Sequence, residues 1–349
     1  MKHFVFAVPG DLATPTGGYA YDRRMVAELL ALGWQVEIAD IGSDFPRPGA
    51  YALGAARARL MAVRKGAPIV IDGLAFGVLP ELAADLHVDH PLIALVHHPL
   101  ALESGIPPAE AQAFRRQERA ALAFADNVIV TSPSTGRLLA TDYGVDPDDI
   151  TVARPGSEPR APAHGSTDGS VALLAVGSVV RRKGYDVLVA ALAGLKDLPW
   201  RLTIVGDRTR SPATAAALDA DILRHGLGER IAVPGAVPDQ RLAELHAGAD
   251  LFVLPSRFEG YGMAFAEAIA HGLPVIGTTA GAIPDTVPEG AGLLVPPDDA
   301  AALAQALRRL IANASERETL AAAARAAAAR LPTWRQSAEE FARAIEAVQ

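Results

Sequence analysis

The stretch from Asp250 to Gly277 reads DLFVLPSRFEGYGMAFAEAIAHGLPVIG, and it decides the fold. Leu251–Leu254 is an unbroken apolar run that stops at Pro255-Ser256. A short loop carries Glu259-Gly260-Tyr261-Gly262. The spacing then predicts a helix from about Met263 to His271, which Gly272 caps and Pro274 prevents from continuing. A second apolar run follows at once. Strand, glycine loop, helix and strand together make one unit of a parallel α/β sheet covered on both faces. The loop then lies at the carboxyl end of a strand, where open α/β sheets bind ligands.

Working outward, the same alternation repeats. Val171–Val176, Leu202–Val205, Ile231–Val233, Pro274–Gly277 and Leu293–Val295 read as strands. Tyr185–Lys196, Gln240–Ala247 and Ala300–Ala312 read as helices between or after them. Upstream, residues 154–170 read RPGSEPRAPAHGSTDGS, with no period and many Pro, Gly and Ser. That composition marks a connection between domains. Before it the alternation is found again. Phe4–Val8, Val36–Ala39, Ile69–Asp72, Leu92–His97 and Asn127–Thr131 are strand candidates. A helix from about Gly18 to Leu32, with Met25, Val26, Leu29 and Leu30 at helical spacing, ends at Gly33. The expectation is an α/β chain of two Rossmann-like, doubly wound parallel-sheet domains facing a central cleft. The domains are residues 1–155 and 171–332, with a linker at 156–170. The amphipathic segment 333–349 is a terminal helix that could pack on either domain, and packing back on the N-terminal one is the expectation.

Length and composition agree with this and remove several functions. The 349 residues suffice for about two domains of ~150 residues each. There is no cysteine, so thiol nucleophiles, disulfide frameworks, Cys-type zinc sites and iron–sulfur clusters are excluded. The formal charge of −8 argues against a nucleic-acid binder working by bulk charge. The N-terminal MKHFVFAVPGD has too short an apolar run for a signal peptide. No window approaches the ~18 apolar residues of a spanning helix; the alanine-rich 320–331 segment is broken by Arg325 and Arg330. A soluble, cytoplasmic protein is expected. G-x-G-x-x-G is incomplete at both candidates, since Phe265 and Ile231 stand where the third glycine would be. P-loop and G-x-S-x-G patterns are absent, which weakens the dehydrogenase, P-loop and α/β-hydrolase readings.

The loops carry the chemistry. Gly260 and Gly262 allow a ligand close to the backbone, and the N–H groups of a helix start at Met263 suit a phosphate. Glu259 in the loop can hold sugar hydroxyls, and Glu267 in the helix can hold the vicinal hydroxyls of a ribose. The plain alternative is a solvated loop acid and a helix acid favoured by the dipole. Gly177–Gly184 reads GSVVRRKG after a strand. Arg182 and Lys183 oppose the dipole of the helix they open, so an anion facing them is the better explanation; a solvated basic turn is the bland one. Thr16-Gly17-Gly18 opens the first helix and fits a phosphate or sugar near the backbone. His97 and His98 close a strand and would face the cleft, without an evident third ligand for zinc. Asp72, ending the strand before, is an acceptor-site candidate along with His98. Gly206-Asp207 ends another strand.

Two glutamates with seven residues between them, and PSRFEGYGMAFAEA around them, resemble the E-x7-E signature of retaining glycosyltransferases. The flanking text resembles family 4, the group 1 glycosyltransferases of the GT-B fold. The resemblance covers most of residues 171–312, including VGSVVRRKGYDVLVAAL, LTIVGD, VPGAVPDQRLAELHAGADLFVLPS and GAGLLVPPDD, and is weaker over the first 150 residues. It implies that Lys183 contacts the donor diphosphate, with Arg182 as the second positive charge or Arg181 in its place. The family commonly has Arg after the Gly of this motif, where this chain has Ser178. It also implies a donor site of Gly17, Gly18, Gly177, Ser178, Asp207, Gly260, Tyr261, Gly262, Met263 and Glu267. His97 would contact the donor sugar near the reacting centre.

The resemblance implies transfer of a hexosyl group, with retention, from a UDP-, GDP- or ADP-linked sugar to an acceptor hydroxyl. The acceptor could be a small molecule, a glycan or a lipid. Glu259, Lys183, Arg182 and His97 are the expected catalytic groups. No metal or further cofactor is expected: Asp219-Ala220-Asp221 has D-x-D spacing but lies in a helical stretch. Rival readings are a phosphorylase or sugar-phosphate synthase on the same fold, a nucleotide-binding regulator and a two-domain oxidoreductase. Basic segments Ala55–Lys65 and Phe114–Arg119 could meet an anionic membrane surface, against the blander reading of solvated helix faces.

Overall fold

The structure, a computed structural model, describes residues 2–14, 16–103 and 105–349. It divides into two units, Met1–Gly156 with Pro332–Gln349, and Ser157–Leu331.

The first unit holds a six-stranded sheet of β1 (His3–Val8), β2 (Gln35–Asp40), β3 (Ile69–Asp72), β4 (Leu92–Val96), β5 (Asn127–Val130) and β6 (Ile150–Val152). The order is β2-β1-β3-β4-β5-β6, and all pairings are parallel. Successive side chains of a strand point to opposite faces, so each strand feeds two cores. Phe4, Phe6, Val70, Ile93 and Ile129 pack with Tyr21, Met25 and Leu29 of the helix Gly17–Ala31. Phe341 and Ile345 of the helix Trp334–Ala347 close the same core. Val5, Ala7, Ile69, Ile71, Leu92 and Ala94 form the other core, with Leu60, Leu82 and Phe114. Burial on both faces explains why the strands read as unbroken apolar runs. β6 escapes that reading because its Ile-Thr-Val lies at the sheet edge and is only partly buried.

The second unit has β7 (Val171–Val176), β8 (Trp200–Val205), β9 (Ile231–Gly235), β10 (Leu251–Val253), β11 (Val275–Thr278) and β12 (Gly292–Val295). Their order is β12-β11-β10-β7-β8-β9. Read from β9, this is the 3-2-1-4-5-6 order of a Rossmann sheet. The order reverses between β7 and β10. The helix Tyr185–Ala193 ends at Gly194, earlier than its apolar pattern suggests. The helix Met263–Ala270 starts from Gly262, whose φ of +91° suits glycine. Residues of the Pro/Gly-rich connection are tied to this unit: Ala163 N–H donates to the His271 carbonyl at 2.8 Å, and His164 N–H to that of Ala247 at 2.8 Å. Among the described residues, no helix is long and apolar enough to cross a membrane.

Candidate functional site

In the second unit, the loops after β7 and β10 leave neighbouring strands at the reversal point. The turn Arg181–Lys183 ends at Gly184, with φ +70°. A Cβ there would lie 2.1 Å from the Pro255 carbonyl oxygen, so only glycine lets this turn press on the β10 loop. The contact brings two cations to one carboxylate. Lys183 Nζ lies 2.7 Å from Glu259 Oε1, and Arg182 Nη1 lies 3.0 Å from Oε2. Ser256 Oγ donates to Oε1 at 2.6 Å, and Arg182 also donates to the Phe258 carbonyl at 2.8 Å.

Glu259 is buried. Burial alone would raise its pKa; Lys183, then Arg182, and the hydrogen bonds from Lys183 and Ser256 override that and hold it at about 2. The trio carries one formal positive charge in excess. Gly177 gives Lys183 its room, since a Cβ there would meet Lys183 Cε at 2.9 Å. The Tyr185 hydroxyl donates to the Gly177 carbonyl at 2.7 Å. Gly281, with φ +57°, lets the Ala282 N–H reach the Glu259 carbonyl at 2.9 Å.

Arg257 ties the two loops together. Its guanidinium contacts Asp186 at 3.0 and 2.7 Å and Asp298 at 2.6 Å, while its N–H donates to the Arg182 carbonyl at 2.8 Å. Sequence reasoning passed over Ser256, Arg257 and Gly281. The first two stand inside the quoted stretch, and their placing between a strand end and Glu259 was the available signal.

The other residues singled out divide. Tyr261 is buried, and its carbonyl accepts from the Thr286 hydroxyl. Gly260 is buried beside it, and Met263 is the first residue of the helix. The Ser178 carbonyl accepts from Val180 N–H at 2.9 Å. Asp207 closes its own loop instead, accepting from the Thr209 N–H and hydroxyl at 2.7 Å each, and these hydrogen bonds lower its pKa. Glu267 is exposed. Its crowded surroundings raise its carboxyl above the usual range, with Arg160 opposing and Asp239 adding. Asp219 and Asp221 pair with Arg208 and Arg224 respectively, so the D-x-D acids serve separate surface pairs.

The first unit holds a second cluster. His97 follows β4, and its Nε2 lies 3.2 Å from Asp22 Oδ1 and 3.6 Å from Asp72 Oδ2. Asp72 ends β3 and also caps the following turn, accepting from Leu74 N–H at 2.8 Å. Asp22 comes from the buried face of the helix Gly17–Ala31. Gly18 lies against the imidazole, its virtual Cβ 3.3 Å from His97 Cδ2, and Gly17 is exposed at the helix start. Thr16 Oγ1 caps that helix by accepting from Tyr19 N–H at 3.2 Å. His98 turns elsewhere, with Nε2 3.3 Å from Glu103 Oε2.

Among the described residues, Asp22, Asp72 and His97 form the one group of three or more His, Asp or Glu residues whose ligand-type atoms lie within 4.8 Å of one another. Spacing along the chain offered His97 no such neighbours. Asp22 was missed, although an acid in line with Met25 and Leu29 on an apolar helix face was a visible oddity.

In the basic segments, three side chains form surface ion pairs: Arg57 with Asp85 at 2.6 Å, Lys65 with Asp89 at 2.8 Å and Arg115 with Asp142 at 2.5 Å.

Two family matches cover most of the chain. Residues 17–160 match Glycosyltransferase Family 4, and residues 170–313 match Glycosyl transferases group 1. The chain is 28% identical over 319 residues to an MMP alpha-(1->4)-mannosyltransferase of Mycolicibacterium hassiacum, covering 85% of this chain and 74% of that protein. It is 32% identical over 230 residues to a D-inositol 3-phosphate glycosyltransferase of Xylanimonas cellulosilytica, covering 61% of this chain and 55% of that one. The match thus spans about half the length of the latter relative. Among solved structures, a sucrose-phosphate synthase from Thermosynechococcus elongatus aligns with a TM-score of 0.83 at 24% identity, over 99% of this chain and 98% of that one. Anabaena HepE in complex with UDP and glucose aligns with a TM-score of 0.76 at 19% identity, over 99% of each chain. With these matches to its two halves and two Rossmann-like domains of the GT-B kind, the chain belongs to the group 1, family 4 glycosyltransferases.

Proposed function

We propose that the protein transfers a hexosyl group, with retention of configuration, from a nucleotide-diphospho-sugar to an acceptor hydroxyl, and does so without a metal. The observation that carries this reading is the convergence of Lys183 and Arg182 on Glu259 at the β7/β10 reversal. Departure of a nucleoside diphosphate concentrates negative charge on its phosphates. Two cations already held in place by Glu259 and Ser256, beside the N–H groups that open the helix Met263–Ala270, can stabilise that charge without reorganising. The cations supply what a divalent ion would otherwise supply. Glu267 would hold the ribose, and Glu259 the sugar hydroxyls. A nucleotide-sugar donor and a cysteine-free acidic chain accord with a cytoplasmic site of action.

The test begins with a thermal-shift panel of UDP-, GDP- and ADP-sugars, because a ligand that binds only the folded protein raises its melting temperature. Transfer is then followed with the donor that binds. The expected result is an axial (α) product from an α-linked donor, read by the anomeric proton coupling, at a rate unchanged by EDTA. Inversion would refute the retaining assignment. Loss of activity in EDTA with rescue by Mn²⁺ would refute the metal-free one.

A further inference from the structure

We propose that Asp22 and Asp72 are positioning residues that hold His97 as an imidazolium, its Nε2–H fixed between their carboxylates, so that Nδ1–H serves as a charged hydrogen-bond donor to a substrate oxygen. The substrate part of this rests on the glycosyl-transfer reading above; the charge and orientation of the ring do not.

The geometry carries it. Two carboxylates from different elements address the same ring nitrogen, at 3.2 and 3.6 Å. An ionised carboxylate only accepts hydrogen bonds, so that nitrogen must carry the proton. Asp22 and Asp72 are fully buried, while the His97 side chain keeps one-fifth of its surface exposed. Among the described residues, the His97 imidazole is the hydrogen-bond partner of the Asp22 side chain, and Asp22 Oδ2 is buried without any. A buried carboxylate so poorly provided for is tenable when its one partner is a cation.

Tyr21 stands edge-on to the ring at 5.3 Å and 84°, its hydroxyl donating to the Ala153 carbonyl at 2.9 Å. Gly18 packs on the ring edge, and Thr131 Oγ1 donates to the His97 carbonyl at 3.3 Å. The ring is therefore held on several sides, and among the described residues no hydrogen bond involves Nδ1.

The surrounding charges agree. Burial by itself would lower the His97 pKa, but Asp22 and then Asp72 lift it to about 10. Burial lifts Asp22 to about 6, opposed by His97, with smaller effects of Asp72 and Arg23. Tyr19, from the same helix, is pushed up to about 12 by burial and by Asp72, Asp22 and Asp40, so it adds no charge near neutrality. A ring so placed is a donor and not a base.

The experiment is a pH titration of the ¹⁵N-labelled protein, reading the ring nitrogens of His97, assigned by loss of its signals in His97→Gln. Expected are two imidazolium-type nitrogens from pH 6 to beyond 8. In Asp22→Asn the pKa should fall by about 1–3 units, the effect of losing one adjacent opposite charge, and in Asp72→Asn by less. A neutral ring at pH 7 in the unaltered protein, in either tautomer, would overturn the proposal. So would displacement of the Nε2 proton by Zn²⁺ or Mn²⁺ added alone. If Asp22→Asn does not fold, the unaltered protein and Asp72→Asn still decide.

The donor role is read from kcat against pH. A flat profile from pH 6 to 8 in the unaltered enzyme, with a new alkaline fall near neutrality in Asp22→Asn, supports it; identical profiles overturn it. Should no nucleotide-sugar support transfer, the functional reading fails, while the nitrogen titration still reports on the ring.

Discussion

The two charged clusters are opposites in sign at the same place in two similar sheets. In the second unit one carboxylate, Glu259, is gripped by two cations. In the first, one imidazole, His97, is gripped by two carboxylates. Each straddles the point where strand order reverses: Lys183 and Glu259 follow β7 and β10, while Asp22 follows β1 and Asp72 ends β3. The formal surplus is one positive charge in the second unit and one negative charge in the first. Their exposure differs too. Lys183 and Arg182 keep 13% and 17% of their side chains exposed, so their surplus charge can act on a ligand. Asp22 and Asp72 are sealed in, so theirs acts on the side chains around them, His97 first. The same reversal point can thus hold an anion site or fix a cationic side chain, depending on which sign is buried.

The strongest way to break this contrast is to delete its exposed half. Lys183→Ala should lower kcat by ~10²–10³-fold, the scale of losing one preorganised donor to developing charge. A rate within a few-fold of the unaltered enzyme would remove Lys183 from the chemistry. Glu259→Gln should fall nearly as far, because both cations then lose the anion that orients them.

Next in size is the response of stability to pH, which should run in opposite directions. The folded Glu259 has a pKa of about 2, below its ordinary value, so its contribution is present above pH 4.5 and fades as pH falls through about 2. The folded His97 has a pKa of about 10, above its ordinary value, so its contribution is complete below pH 6.5 and is lost as pH rises through about 10. Each amounts to a few kcal/mol, roughly. Tryptophan fluorescence during urea unfolding separates the units, since Trp200 lies in the second and Trp34 and Trp334 in the first. A unit that weakens at the wrong end of the pH range would contradict the assignment of its cluster.

Two glycines sharpen the contrast at smaller scale. Gly281→Ala forces a left-handed backbone and puts a Cβ 2.4 Å from the Glu259 carbonyl oxygen. It should cost about 1–3 kcal/mol, read from the urea midpoint, and disturb transfer. Gly18→Ala meets the His97 ring at 3.3 Å, a contact that needs only a small shift. It should cost below about 1 kcal/mol while moving the His97 ring signals. Arg257→Ala lies between them, at roughly 1 kcal/mol, or about 2–4 °C in melting temperature for a unit of this size. Its partners are half-exposed, and solvent screens them.

Much of the fold was legible because burial on both faces leaves unbroken apolar strands. Ile69–Asp72 and Val171–Val176 stand where their residues say, and Ala300–Ala312 is the helix its spacing predicts. β6 was illegible for the converse reason: three half-buried edge residues carry too little pattern. The site was legible only where it is local. Glu259, Gly260 and Gly262 share one loop, and Lys183 shares a turn with Arg182. That Lys183 would meet Glu259 across 76 positions could be suggested only by resemblance. The Asp22–His97 contact, 75 positions apart, could not be seen at all. Such pairings are made by sheet order, which no short window contains.

The helix Trp334–Ala347 has a consequence for synthesis. Its Phe341 and Ile345 belong to the core built by Phe4, Phe6 and Met25, and every residue of the second unit lies between them in the chain. A ribosome makes the first unit's sheet early and its closing helix late. The second unit can therefore finish folding while the first still shows its aromatic face, an inversion of the usual N-terminal-first order. Ribosome-bound chains in which residue 331 is followed by an unstructured tether long enough to span the exit tunnel should protect the 157–331 region from protease and leave the first unit open to chaperones.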